Sequence, residues 1–550
     1  MKRKGKGPTA LLLVLTLLAT LTAACTGNEG NAPEAGEQTE GPNGANAAEA
    51  ADNAAPPALD PVELKVKLFG EKPTDMDAVV AEFESRSKEA LNTTLDVTFD
   101  VAAEYRNKLK LMLAAGEEID LAFDAPWWDL NANVSKGYYH ELDAYFNNDD
   151  YPGLKAAFTP EYLEANKIDG HIYAIPVTNT FYDIPVVLIR KDLREKYGME
   201  PVDSYADLKQ FLDQVLANEN PKAFVPWGGG RNTWYHVFAN FDTKQTHYRA
   251  FPFEITGTGA LFNLVLSEDG KQVLGATTLG DPDEAYSGFP APLNEPDFFY
   301  DHYDTKVEYR KYLPSDPLAQ NQTTTVEGGA HETTLNSVAS DRQKLKETYP
   351  DADYEIFVYN DAVRAMESGA IATGFKAWNF LTVPKSSKNV ERTMKFLDWV
   401  FASPDHHDLF ELGIEGTHWE KDGERYYRVT EQTPDYAFPA YEMTWNPQLS
   451  RINGNNDEET LKYIEYEYDQ DSYYRMALSG FTFNPENVKN EIAKVQPKFD
   501  ELRPVLEAGL DPEWRESAGK LNAQMRALGL ENIREELIKQ AQDYLDSGGQ

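Results

Sequence analysis

Four short stretches concentrate side chains able to grip a ligand. Asp124-Ala125-Pro126-Trp127-Trp128-Asp129 places two indoles between two carboxylates. Pro226-Trp227-Gly228-Gly229-Gly230-Arg231-Asn232-Thr233-Trp234 places two more around a glycine run, with Arg231 and Asn232 as donors. Gly374 to Phe380 carries Trp378 beside Asn379, and Tyr441 to Pro447 carries Trp445. A pyranose ring offers an apolar face to an aromatic ring and hydroxyl edges to carboxylates, amides and guanidinium groups. A concave site mixing these groups is therefore a candidate sugar site. Glu71, in the turn-rich loop Phe69-Gly70-Glu71-Lys72-Pro73, joins the ligand-binding candidates Asp124, Trp127, Trp128, Asp129, Trp227, Arg231, Asn232, Trp234, Trp378, Asn379 and Trp445.

Two of these stretches admit a second reading. Adjacent side chains on an extended backbone point to opposite faces, so one of Trp127 and Trp128 is expected outward, unless Pro126 bends the loop and folds both rings inward. The glycine run lacks the lysine and serine or threonine of a phosphate-binding loop. It is suited instead to a tight turn or a close backbone approach, to a ligand or within a plain surface loop.

Covalent and metal chemistry find less support. No acid stands in a recognisable catalytic setting, and a sequence does not give the carboxylate separation that a glycosidase needs. His406-His407 and His331-Glu332 lack the second histidine spacing of a zinc helix. Asp469 and Asp471 resemble the start of a calcium loop without its glycine or closing glutamate, so a structural calcium ion stays open. The expectation is a binding protein with no catalytic residues, no metal ligands and no cofactor. An exported carbohydrate-active enzyme (hydrolase or lyase) and a surface glycan-binding protein outside transport remain alternatives.

The elements that must position these loops read as α/β. Val62, Leu64, Val66 and Leu68 alternate with polar residues as an opening strand. A helix over about 75–90, a strand over 94–99, a helix over 105–115 ending at Gly116, and a buried strand over 119–123 follow. That alternation predicts a mostly parallel sheet covered by helices, with ligands beyond the carboxyl ends of the strands, where 69–73 and 124–129 lie. Pro185 to Leu193 reads as a strand entering a helix, and Val390 to Phe401 as an amphipathic helix whose Trp399 belongs to the core. Trp419 and Trp514 are also assigned to packing.

At the amino end, Lys2, Arg3, Lys4 and Lys6 precede the apolar run Ala10 to Leu21 and then Thr22-Ala23-Ala24-Cys25. The run is too short for a stable bilayer span and reads as an export signal. Cys25 is the only cysteine, and the segment resembles a bacterial lipoprotein signal, which makes Cys25 an acylation site; Thr22 departs from the usual leucine. Residues 26–58 are polar, acidic and without a basic side chain, as a disordered tether would be. The net charge of −39 argues against nucleic acid or anionic headgroups as main partners and slightly favours neutral ligands.

The stretches Tyr105 to Phe123, Gly137 to Leu142 and Ile168 to Pro176 resemble extracellular solute-binding proteins of carbohydrate ABC importers. Gly413 to Trp419, Gly480 to Asn484, Glu491 to Leu510 and Leu528 to Leu545 resemble the carboxyl-terminal region of the LipO/LplA-like lipoproteins of Gram-positive bacteria within that family. The resemblance spans about residues 60 to 547 and implies a periplasmic-binding-protein-like (type II) α/β fold. Such a fold has two lobes, a ligand cleft, crossing hinge segments and a helical carboxyl-terminal extension. The implied division is a signal peptide at 1–24, the acylated Cys25 and tether at 25–58, and lobe 1 at 59–182 and 371–410. Lobe 2 takes 183–370, and a region packing on both lobes takes 411–550. The implied function is capture of oligosaccharides and delivery to permease subunits by a monomer, lipid-anchored on the extracellular face of the cell membrane.

Overall fold

The computed structural model describes residues 59–220, 224–229, 237, 249–255, 259–313 and 325–548. Cys25, Arg231, Asn232 and Trp234 lie outside the described residues, as do all of residues 1–58, where an export signal and a tether were expected. No described helix is long and apolar enough to cross a membrane.

Strand β1 (Val62–Phe69) buries Leu64, Val66 and Leu68 and leaves Glu63 exposed, the alternation its sequence announces. Helix α1 (Met76–Leu91) buries Met76, Val79, Phe83, Ser87 and Leu91, a stripe of helical period. After β2 (Thr93–Asp100), α2 (Ala102–Ala115) buries Tyr105, Leu109 and Leu113, and Gly116 closes it at φ 68°. β3 (Leu121–Asp124) is buried throughout. With β4 (Ala174–Val177) and β13 (Asn379–Thr382) these form a five-stranded sheet in the order β2-β1-β3-β13-β4. β1 runs parallel to β2 and β3, while β13 is antiparallel to both β3 and β4. The returning strand thus wedges into the middle of the sheet. Helix Val390–Phe401 covers one face, and its Phe396 and Trp399 pack edge-on against Phe83 of α1.

A second sheet has the order β11-β5-β10-β6, from β5 (Pro185–Arg190), β6 (Val225–Trp227), β10 (Gly328–Thr334) and β11 (Tyr354–Phe357). β5 explains its unbroken apolar run by being covered on both faces. Val187 and Ile189 pack with Leu208, Phe211 and Val215, whereas Val186 and Leu188 pack with Leu335, Val338 and Leu345. A third sheet of β7 (Ala250–Phe253), β8 (Phe262–Leu266) and β9 (Val273–Thr277) shares its core with the carboxyl-terminal helices Lys489–Glu507, Trp514–Ala527 and Leu530–Asp546. Two small sheets complete the set: β12 (Ile371–Thr373) pairs with β17 (Tyr473–Arg475), and β14 (Trp419–Asp422), β15 (Tyr426–Val429) and β16 (Ile452–Asn453) line up in order. Trp399, Trp419 and Trp514 are buried, as their motifs predict.

The chain passes between the first two sheets along segments that are tied together. Residues 178–184 join β4 to β5, and 358–378 lead from β11 back to β13. Thr373 Oγ1 donates to Phe181 O (3.1 Å), and the Thr180 and Tyr473 hydroxyls bond at 3.0 Å. Asn166 clamps the returning segment with two bonds, to Phe375 O and from Ala377 N, each 2.8 Å. These ties place the hinge at one edge of each sheet. On the first sheet it is the edge of Phe69, Asp124, Val177 and Asn379; on the second, the edge of Pro185, Trp227, Thr334 and Phe357.

Candidate ligand-binding site

The first sheet carries an aromatic wall along its hinge edge. β1 ends at Phe69, whose ring lies 4.9 Å from Trp128, 5.2 Å from Phe123, 5.7 Å from Tyr105 and 5.9 Å from Tyr441. Trp128 is in turn 4.6 Å from Trp127, and Tyr441 is 5.9 Å from Trp445. Rings at such spacings prefer tilted and edge-to-face contacts, as here. Between the two adjacent tryptophans the chain makes a turn rather than an extended strand, and that turn resolves the ambiguity of the sequence. Trp128 is half-buried in the ring cluster, while Trp127 stays 38% exposed. The Trp127 Nε1–H donates to Trp378 O at 2.7 Å, which joins the end of β3 to the approach of β13. Trp378 itself is 64% exposed, the largest aromatic surface offered along this edge. Asn379 is half-buried and paired with Val177, and Glu71 is exposed just past the end of β1, after Gly70.

The carboxylates of the wall are committed elsewhere, which corrects two sequence-based assignments. Asp124 was expected to read ligand hydroxyls but is buried. Its Oδ1 accepts Ala125 N (2.8 Å), and its Oδ2 accepts the Tyr139 hydroxyl (2.6 Å) and Asn133 Nδ2 (2.9 Å). Burial raises its pKa above the usual carboxylate range, with the two side-chain bonds working against that rise. Asp129 is held by Arg106 at 2.6 Å and Lys110 at 2.8 Å; the Arg106 hydrogen bond keeps its pKa low. It anchors α2 to the loop.

Trp227 is the third correction. It ends β6 on the hinge edge of the second sheet, yet it is 0% exposed and packs in that lobe's core. The glycine that follows does permit a close approach, but to the chain itself. A Cβ on Gly228 would meet Thr325 O at 2.7 Å and Gly328 Cα at 3.0 Å, so β6 and β10 come together only because both residues are bare.

The histidine pairs also resolve. His406 stacks on Trp399 at 3.8 Å, and His407 is buried against Glu411. Asp469 Oδ1 accepts Asp471 N, so this acidic pair makes a turn. Glu141, Asp143 and His171 bring potential ligand atoms within 4.8 Å of one another at the surface, a grouping that the stretch between Asp143 and His171 hid from the sequence. Asp143 Oδ2 already accepts Ile172 N at 3.0 Å there.

Sequence reasoning placed Phe69 in the loop at the expected site and Tyr441 and Glu442 in a candidate stretch, but singled out none of the three as a part of the wall. Tyr105 read only as the start of a helix. Glu442 Oε2 accepts Phe69 N at 2.8 Å across 373 positions of chain, a contact that no local pattern announces.

Comparison with known proteins decides the family. Residues 70–405 match the model described as bacterial extracellular solute-binding protein. The chain belongs to this family. Residues 477–546 match a domain of unknown function, DUF3502. A carbohydrate ABC transporter substrate-binding protein of Streptococcus pneumoniae serotype 4 is 23% identical to this solute-binding protein over 495 residues, 88% of this chain and 91% of that one. The crystal structure of the N-glycan transport solute binding protein NgtS from S. pneumoniae in complex with Man5GlcNAc superposes with a TM-score of 0.61 at 20% identity, covering 89% and 99% of the two chains. The S. pneumoniae ABC-transporter substrate binding protein FusA in complex with kestose gives 0.55 at 14% identity, covering 88% and 99%. At these identities the likeness is one of fold: a type II periplasmic-binding-protein-like architecture of two lobes, crossing segments and a helical carboxyl-terminal extension.

Proposed function

We propose that this solute-binding protein is the receptor of an ABC importer for oligosaccharides. A lipid on Cys25 holds it at the outer face of the cell membrane, with residues 26–58 as the tether. Residues 59–182 and 371–410 form the first lobe and 183–370 the second; residues 411–550 brace both, and the protein acts as a monomer. The observation that carries the reading is the pair Trp127 and Trp378, two solvent-facing indoles linked to each other on the hinge edge of the first sheet. A sugar lies face-on against these rings, the second lobe folds over it by hinge bending at 178–184 and 358–378, and the closed form is what the permease engages.

Neutral oligosaccharides fit this wall better than acidic ones. Arg106 and Lys110 of this lobe are paired with Asp129, and the Lys376 ammonium donates to Phe481 O and Thr482 Oγ1. Man5GlcNAc and kestose, held by two relatives of the same fold, are neutral as well. Amides such as Asn379 and the exposed Glu71 read hydroxyl orientation, and the sugar is released intact.

Calorimetric titration of the purified protein against neutral and acidic oligosaccharides, with chromatography of each mixture, tests this. Saturable binding of neutral chains that emerge intact is expected. Cleaved products would make the protein an enzyme, and failure to bind any neutral chain would overturn the reading.

A further inference from the structure

The turn Ala440–Glu442 and the residues after it cross from the carboxyl-terminal region onto the hinge edge of the first sheet. They are fastened at both ends of the wall. Phe69 N donates to Glu442 Oε2 at the end of β1, and Thr178 N donates to Trp445 O just past β4, at 3.1 Å. Between these two points stand Tyr441 and Trp445, whose rings continue the wall beyond Phe69.

Glu442 lies beneath the rings with its residue surface wholly buried, and its Oε1 finds no hydrogen-bond partner. Two phenols face it, Tyr105 of α2 and its own neighbour Tyr441; Asp124 at the end of β3 stands beyond Tyr105. No lysine or arginine is among the groups that act on it. A carboxylate here would bury a full charge with no cation facing it among the described residues, which costs more than burying a neutral acid. Burial accordingly pushes its pKa up to about 8, with Phe69 and Tyr441 pulling only partly back.

We propose that Glu442 is a positioning residue for the ligand wall: its carboxyl, fastened to the end of β1, sets Tyr441 and Trp445 against Phe69 and makes ligand affinity depend on pH. The inference rests on the oligosaccharide reading for its ligand and on the fold alone for its geometry. The neutral acid is the resident form below about 8; its hold on the segment is fully present below about pH 4, where the released side chain is protonated too, and weakens as pH rises to about 8. Lys376, whose ammonium is turned onto Phe481 O and Thr482 Oγ1 and is brought down to about 8 by desolvation, titrates in the same range. A comparison of variants is therefore required, not a single profile.

Two readouts on the full-length protein decide the matter. In the ligand-free protein, hydrogen exchange at Thr444 and Trp445, whose amides donate to Ala440 O, is followed from about pH 6.5 to about pH 9.5 together with tryptophan fluorescence. Wild type should open progressively as pH rises to about 8 and level off above it, beyond the intrinsic base-catalysed rise, and Glu442→Gln should not. In the second, the oligosaccharide that binds wild type best is titrated at about pH 7 and about pH 9. Wild-type affinity should fall about fivefold or more between them, Glu442→Ala should be weak at both, and Glu442→Gln should recover most of the loss and flatten the profile. Identical pH profiles for wild type and Glu442→Gln, or full affinity in Glu442→Ala, would overturn the proposal. If Glu442→Ala does not fold, the glutamine comparison still decides. If no oligosaccharide binds wild type, the functional reading and the affinity half fall together, and the exchange readout alone sustains or refutes the positional half.

Discussion

Trp227 and Trp378 stand at equivalent places on the two sheets, each at the hinge edge, and their surroundings give them opposite work. Trp227 is enclosed by the core of its lobe, where β6 and β10 approach closely at the bare pair Gly228 and Gly328. Trp378 has 64% of its surface in water, fixed by the bond that its carbonyl accepts from Trp127. An indole at a strand end is therefore no site by itself. What lies over it decides, and among the described residues the exposed indoles, Trp127 and Trp378, both belong to the first lobe. The proposed function accordingly places ligand affinity on that wall.

The sharpest way to break that contrast is to truncate both tryptophans. Trp227→Ala should cost about 3–5 kcal/mol of stability, the usual cost of hollowing a core at an aromatic residue. Urea unfolding checks it, and a loss under about 1 kcal/mol would show that the site collapses or is not core. Trp378→Ala should leave unfolding within about 0.5 kcal/mol and weaken oligosaccharide binding by about 1–2 kcal/mol, roughly 5- to 30-fold in Kd. Trp127→Ala should do much the same, and the double variant should fall short of the sum because the two residues are hydrogen-bonded neighbours.

A smaller effect sharpens the comparison at the hinge itself. Asp183, in the first crossing, and Glu467 both accept from the Asn336 side-chain amide, at 3.1 and 2.9 Å, and Glu467 Oε2 also accepts Ile184 N. Burial raises both pKa values, Glu467 further because Asp183 lies beside it. Both folded values lie above the unfolded ones. The pair's contribution is therefore fully present below about pH 4 and is lost as pH rises through the folded values. Asp183→Asn should flatten that decline and gain on the order of 1 kcal/mol at about pH 8 while changing nothing at about pH 4, as thermal melts across pH would show. The smallest effect belongs to Asp129→Asn. Its ion pairs with Arg106 and Lys110 are partly exposed, so about 0.5 kcal/mol or less is expected from unfolding curves.

Much of the first sheet was legible because its pattern is local. The alternation of β1, the stripe of α1 and the Gly116 stop of α2 each encode an element within a few residues. The loops at 69–73 and 124–129 also fell where strand order places them, and Trp127 and Trp378 were both singled out. Which polar groups reach the ligand was not legible. Asp124 looked available until Asn133 and Tyr139 closed over it, and Asp129 until α2 delivered Arg106 and Lys110. The part played by Glu442 depends on a segment arriving from 373 positions away. The packing of β7–β9 with the carboxyl-terminal helices is equally non-local, since its two halves lie more than two hundred residues apart.

The most direct test of the central claim is a crystal structure of the protein with a neutral oligosaccharide bound. The account predicts sugar rings lying face-on against Trp127 and Trp378, with Trp445 and Tyr441 continuing the wall and Trp227 still enclosed. A ligand bound away from the hinge edge of the first sheet, with Trp127 and Trp378 left in solvent, would contradict it.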